Sequence, residues 1–173
     1  MAKEIKTLRT ERLLLRGIDE TDAGLIIQLR ADPAVFRYFR SPHRITLEEH
    51  LDWYFNKYLD DSSRVDWVCI EKASGKSIGV FGLCKEADSA EVNYLLAKES
   101  QHKGYAAEAI RALMRYAAED WRCVRLTAEI HEENGPSVRL AERLGFRLLS
   151  HKKPFAVYGI EVDQSDSDQN GCE

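Results

Sequence analysis

The run Gln101-His102-Lys103-Gly104-Tyr105-Ala106 sets a lysine and a glycine where a strand-like segment gives way to a helical one. A helix start leaves its first N–H groups without intrahelical partners, and the helix dipole adds positive character at that end. Gly104 lets a ligand approach the backbone closely and Lys103 adds a cation, so the segment suits an anion of the pyrophosphate type. It is not a P-loop, because no Gly-Lys-Ser or Gly-Lys-Thr is present. A single glycine before a helix is also compatible with an ordinary connecting turn.

The elements that must hold this segment can be read from periodicity. Residues 8–16 read as a first strand, and Asp19-Glu-Thr-Asp22 resembles a helix start ahead of Leu25, Ile26 and Leu29, with Pro33 as its limit. Thr46 and Glu49 form a capping box for a second helix, whose inner face is expected to be Leu47, Leu51, Tyr54 and Tyr58. Val65, Trp67 and Cys69 begin a hairpin that turns at Ser74-Gly75 and returns over residues 78–84. A strand over residues 90–97, a helix from about Gly104 to Glu119, and a strand through Val124, Leu126, Ala128 and Ile130 follow. A short helix starts near Pro136 and closes at Gly145, and residues 146–149 and 157–162 make two last strands. Only the connection across the helix at 104–119 has the length of a parallel crossover, so a mixed sheet with helices on both faces is expected.

With 173 residues, 44% apolar and 31% charged, the chain suits one domain over residues 1–162. Residues 163–173 are polar and expected to be disordered. A net charge of -4 without a basic block argues against nucleic acid, and no window approaches the roughly 20 apolar residues of a membrane span. The amino terminus lacks the apolar stretch of a signal peptide, so a cytoplasmic location is expected. Cys69, Cys84, Cys123 and Cys172 lie far apart without C-x-x-C or zinc-finger spacing; neither metal nor disulfide is indicated, and the first three read as small buried side chains.

The pattern Gln-x-x-Gly-x-Ala, then Glu108-Ala109, a strand, Asn134-Gly-Pro-Ser137 and Leu144-Gly145-Phe146, resembles the GCN5-related N-acetyltransferase (GNAT) superfamily. The opening Thr10-Glu-Arg-Leu-Leu-Leu-Arg16, together with Tyr94, resembles its RimJ/RimL branch. This resemblance, over residues 8–162, implies an α/β fold of the α+β type, with a mixed, mostly antiparallel twisted sheet of about six or seven strands. It also implies a bulged strand at 90–97 that splays from the strand at 124–130 to admit acetyl-CoA. Backbone groups at Leu95, Leu96 and Ala97 would then meet the pantetheine amides and residues 101–106 the pyrophosphate. Asn134 would touch the pantetheine, and Arg143 could reach a phosphate or stay a solvated helix residue.

The implied reaction is acetyl transfer to an amine, either a small molecule or a protein N-terminus, in a monomer or homodimer. It needs a base, a polarised carbonyl and a proton for the leaving thiolate. Near Leu96 a backbone N–H could hold the oxyanion. Ser137 falls where the family places a residue near the coenzyme sulfur, though it could merely serve its helix's first turn. Four residues later many members carry a tyrosine acid, whereas this chain has Ala141. The alternative reading is therefore a module that binds acyl-CoA without transfer. Glu91 and His131 are candidate bases, each with a surface or structural alternative. Glu108 is explained by the helix dipole. Tyr38, Tyr94 and Tyr158, with Phe39 and Trp53, are expected in an acceptor pocket or in the core. The loop bearing Arg37, Arg40 and Arg44 would suit an acceptor with a carboxylate or phosphate.

Overall fold

Eight strands, β1 (Leu8–Arg9), β2 (Leu13–Gly17), β3 (Arg64–Glu71), β4 (Ser77–Glu86), β5 (Ser89–Leu96), β6 (Arg125–His131), β7 (Arg147–Lys152) and β8 (Phe155–Glu161), form one sheet. Their order is β1-β2-β3-β4-β5-β6-β8-β7, and every neighbouring pair is antiparallel except β5 and β6. The computed structural model describes residues 3–162, so the expected tail and Cys172 lie outside the described residues. There is one strand more than expected because residues 8–16 do not run straight. Thr10 folds them into a hairpin, its N–H donating to the Leu13 carbonyl at 3.0 Å and its hydroxyl accepting from the Leu13 N–H at 3.0 Å.

Five helices flank the sheet: α1 (Ala23–Arg30), α2 (Pro33–Phe36), α3 (Leu47–Trp53), α4 (Tyr105–Glu119) and α5 (Gly135–Arg143). Local chemistry explains most of their starts. Asp19 and Asp22 close a capping box on the turn before α1, and the Thr46–Glu49 box opens α3 with bonds of 3.1 and 2.7 Å. Pro33 follows the end of α1 but also begins α2, where the Asp32 side chain accepts from the Ala34 N–H at 2.8 Å. Beyond α3 the chain makes a π turn over Tyr54–Tyr58. The inner face differs from expectation: Leu47 is 55% exposed, and the buried side chains are His50, Tyr54 and Tyr58. These are four residues apart, so a polar ring takes an inward position.

Strand alternation divides the core in two. Leu83, Val92, Leu126 and Ile130 pack with Ala109, Leu113 and Leu140 beneath α4 and α5. Val68 and Val80 pack with Ile18, Ile26, Tyr54 and Tyr58 beneath α1 and α3. Cys69 and Cys123 are fully buried as expected, and burial pushes the Cys69 thiol up to about 12, leaving it inert.

Candidate functional site

The parallel pair is joined only by Ser89 to Arg125, Ala90 to Leu126 and Glu91 to Thr127. Beyond Glu91 the strands part. On β5, the Ala97 N–H donates to the Ile78 carbonyl at 2.8 Å, which sets the antiparallel phase with β4. Peptide groups alternate sides along a strand. Those of Leu95 and Ala97 therefore face β4, and those of Tyr94 and Leu96 face the opening. This corrects the expectation for Leu95 and Ala97: their backbones are committed to the sheet, and Leu96 alone of the three lines the gap. The expected bulge is absent, since the β4–β5 register is continuous from Gly79 opposite Leu96 to Glu86 opposite Ser89. β4 and β5 approach closely here: a Cβ on Gly79 would lie 2.5 Å from the Leu95 carbonyl. Across the gap, the bond from the Glu132 N–H to the Pro154 carbonyl sets the β6–β8 phase, and the peptide groups of Glu129 and His131 face β5.

Beside this opening lies the start of α4. Gly104 holds φ +82°, in the left-handed region, and His102 holds φ +61°. Left-handed residues among right-handed ones turn successive N–H groups to one side as an anion-binding nest. No side chain caps α4, so the N–H groups of Tyr105, Ala106 and Ala107 remain free. Gln101 donates through Nε2 to the Leu96 carbonyl at 3.2 Å, tying the turn to the lip of the gap. Lys103 and His102 are exposed on the same turn.

A residue that the sequence reading missed supports the nest. Arg12, in the turn between β1 and β2, donates through Nη1 to the Lys103 carbonyl at 2.9 Å. Because the peptide is planar and trans, this directs the Gly104 N–H the opposite way. Arg12 is held by Glu108, whose carboxylate accepts from the Arg12 Nε at 2.7 Å and its backbone N–H at 2.8 Å, and from Thr10 Oγ1 at 2.6 Å. Burial raises the Glu108 carboxyl, but the bonds from Thr10 and Arg12 outweigh it and hold the group below the ordinary glutamate value. Arg12 also stacks on Tyr105, whose hydroxyl donates to Glu71, so the Tyr105 side chain serves the scaffold.

At the other side of the gap, α5 begins at Asn134, whose Oδ1 caps the Ser137 N–H at 3.4 Å. Tyr94 stacks on Phe81 and extends across the opening to place its hydroxyl 3.1 Å from Ser137 Oγ. Burial raises the Tyr94 pKa, and the bond to Ser137 partly offsets it. Ala141 is buried in the core. Arg143 is exposed in the last turn of α5, where a cation complements the helix dipole. Tyr158 is a correction: it pairs with Ala128 and is buried in the α4–α5 core, so alternation keeps it from the acceptor side.

The opposite face carries the remaining candidates. Glu91 is open to solvent on one side, yet its carboxyl is raised, first by loss of water around it, then by Glu129, with Arg40 opposing. Glu129 is itself paired with Arg40. His131 sits between the rings of Tyr38 and Phe155, at 5.5 and 5.3 Å. Its Nδ1 accepts from the Glu133 N–H at 3.2 Å, so in the neutral ring Nε2 carries the proton. Glu91 and His131 thus lie on one face as the two base candidates. Next to β5 on this face is a cavity of about 360 Å³ whose lining includes Phe39 and Trp53. Among the described residues no group of three His, Cys, Asp or Glu could hold a metal ion, and no helix is long and apolar enough to cross a membrane.

A mixed sheet opened between its one parallel pair, with an uncapped helix start beside the opening, is the α/β architecture expected above. Residues 12–147 match the family described as acetyltransferase (GNAT) domain, and the chain belongs to that family of acetyltransferases. An uncharacterized N-acetyltransferase, p20, of Bacillus licheniformis is 29% identical over 148 residues, covering 83% of each protein. Spermidine N-acetyltransferase from Vibrio cholerae, solved with CoA and spermine, shares the fold at TM-score 0.76 and 24% identity, over 88% of this chain and 97% of that one. An acetyltransferase from Salmonella typhimurium that modifies the N-terminal serine of 50S ribosomal subunit protein L7/L12 shares it at TM-score 0.79 and 18% identity, over 91% and 100%.

Proposed function

We propose that the protein transfers an acetyl group from acetyl-CoA to a primary amine, of a small molecule or a protein N-terminus, by direct attack in a ternary complex. The observation that carries this is the unzipped ladder: beyond the Glu91–Thr127 pair, peptide groups of Tyr94 and Leu96 face those of Glu129 and His131 with no strand between them. An extended chain bearing amides, such as pantetheine, complements such an edge. The nest at residues 101–106 lies beside it for the pyrophosphate. CoA in the Vibrio cholerae relative supports the same donor here.

Glu91, with its raised pKa, takes the proton from the incoming ammonium or amine. The Leu96 N–H, facing the gap, stabilises the developing oxyanion. The tyrosine missing at Ala141 is replaced from the sheet: Tyr94 brings a hydroxyl to Ser137, and this pair returns a proton to the thiolate. Such a pair weakens the alternative of a coenzyme-binding module without transfer. The RimJ/RimL branch is the reading supported by the opening residues and by the Salmonella typhimurium relative.

Incubation with acetyl-CoA and an amine panel, reporting free thiol, tests the proposal. Thiol release dependent on amine is expected. Tight coenzyme binding without release for any amine would establish the binding module instead.

A further inference from the structure

The cavity on the α1–α3 face has a mostly apolar lining that includes the charged or polar side chains of Arg30, His50, Arg64 and Asp66. Arg64 and Asp66 satisfy each other, with Nε to Oδ2 at 2.7 Å, and the Asp66 N–H donates to the Tyr58 hydroxyl oxygen at 2.9 Å. Two other groups lining it have no partner: Arg30 Nε and His50 Nε2 are buried without a hydrogen bond. His50 is only 4% exposed. Burying a polar atom without a partner is unfavourable, and His50 occupies an inward helix position that an apolar side chain would fill without that cost.

Arg30 stacks on Phe39 at 4.8 Å, but a ring face does not accept the in-plane Nε–H. Among the described residues Arg30 has no acidic partner within salt-bridge distance: Asp66 is committed to Arg64, and Glu49 at the rim accepts from the Thr46 N–H and stands near His43. Burial, and then Arg30, lower the His50 pKa, so the ring is neutral and offers one N–H. One uncompensated guanidinium and one neutral donor thus converge on a cavity of a size suited to a small ligand.

The cavity also touches Asn93, Tyr94 and Leu95 of β5, the strand whose other edge lines the coenzyme gap. Glu91 lies on the same face as Asn93, roughly 7 Å along the strand. A molecule anchored here by one end can present an amine beside Glu91. We infer that the cavity holds an oxyanion of the acceptor, a carboxylate or phosphate bound by Arg30 and His50, so that the substrate is an amine that also carries an anionic group. This inference rests on the acetyltransferase reading above. It separates the chain from a polycation acceptor, which would meet Arg30 without a counter-charge.

The test is thiol release with acetyl-CoA and matched amines: β-alanine against β-alanine amide, phosphoethanolamine against ethanolamine, and spermidine. The anionic member of at least one pair is expected to show a ten-fold or greater advantage in kcat/KM, and the pair that shows it tells carboxylate from phosphate. Arg30→Gln is expected to raise the KM for that acceptor at least ten-fold without changing the KM for acetyl-CoA, and Arg30→Lys to restore only part of it. Thermal stabilisation by the anionic amine alone, present in the natural protein and absent in Arg30→Gln, gives a readout independent of transfer. Equal or better turnover of the uncharged member in both pairs, or of spermidine over every anionic amine, overturns the inference, as does an unchanged acceptor KM in Arg30→Gln. If no amine is acetylated although acetyl-CoA binds, the functional reading fails by itself, and the thermal shift alone decides the cavity.

Discussion

Glu91 and Tyr94 stand on one strand three residues apart and face opposite sides of the sheet, which is what a reaction with a base on the acceptor side and an acid on the coenzyme side needs. Glu91→Gln is expected to lower kcat by about 10²–10⁴-fold, the usual worth of a positioned base. The sign of its pH dependence follows from the raised pKa: the base works only when ionised, so activity falls as pH drops through a value above the ordinary glutamate range. A pH–rate profile of Glu91→Gln that keeps this acid limb unchanged would sink the assignment. Tyr94→Phe is expected to reduce kcat more than Ser137→Ala, because Ser137 acts through the Tyr94 hydroxyl, and to leave the KM for acetyl-CoA within a few-fold. Glu91 was readable from the sequence as a strand carboxylate near the cleft. Tyr94 was read as a pocket wall, since its reach to Ser137, 43 positions away, depends on how far two strands diverge.

At the scale of elements, the local signals were legible and the long-range ones were not. The Thr46–Glu49 box and the Gly104 helix start depend on residues within a turn of each other, so the sequence carries them openly. The brace of Thr10, Arg12 and Glu108 joins residues almost a hundred positions apart, and Glu108 alone looked like a dipole partner. His50 was hidden for a related reason: the π turn after α3 and the Tyr54–Tyr58 packing set which side of that helix faces in. Glu108→Gln is expected to cost about 1–3 kcal/mol by loss of charge-assisted bonds. Since its folded pKa is depressed, the contribution is present above the ordinary glutamate pKa and is lost as pH falls through the lower folded value. Urea titrations at neutral and acid pH should therefore show the variant's deficit shrinking in acid. Gly104→Ala should raise the KM for acetyl-CoA while sparing the acceptor KM, because a left-handed φ disfavours any Cβ and Arg12 Nη2 would stand 3.2 Å from it.

For the molecule as a whole, three register pairs between β5 and β6 are, among the described residues, the only strand pairing that joins the half-sheet β1–β5 to the half-sheet β6–β8. The mixed architecture with one parallel crossover was legible because only residues 97–124 have the length for it, but the point where that pair stops pairing was not. That point goes with contacts such as Tyr94 to Ser137 and the close approach of Gly79 to Leu95, which no periodicity records. The halves are otherwise held by α4 and α5 packing in a shared core. A ligand lying in the gap bonds to both halves and so should tighten the junction as well as occupy it. At acetyl-CoA 100-fold above its Kd, linkage gives about 2.7 kcal/mol, and for a chain of this size that raises Tm by about 5–10 °C. Hydrogen exchange should slow most at the amides that face the opening, Tyr94, Leu96, Glu129 and His131, and at Tyr105, Ala106 and Ala107. Protection confined to the helix start, with the strand amides unchanged, would mean that the coenzyme sits on the nest without entering the sheet.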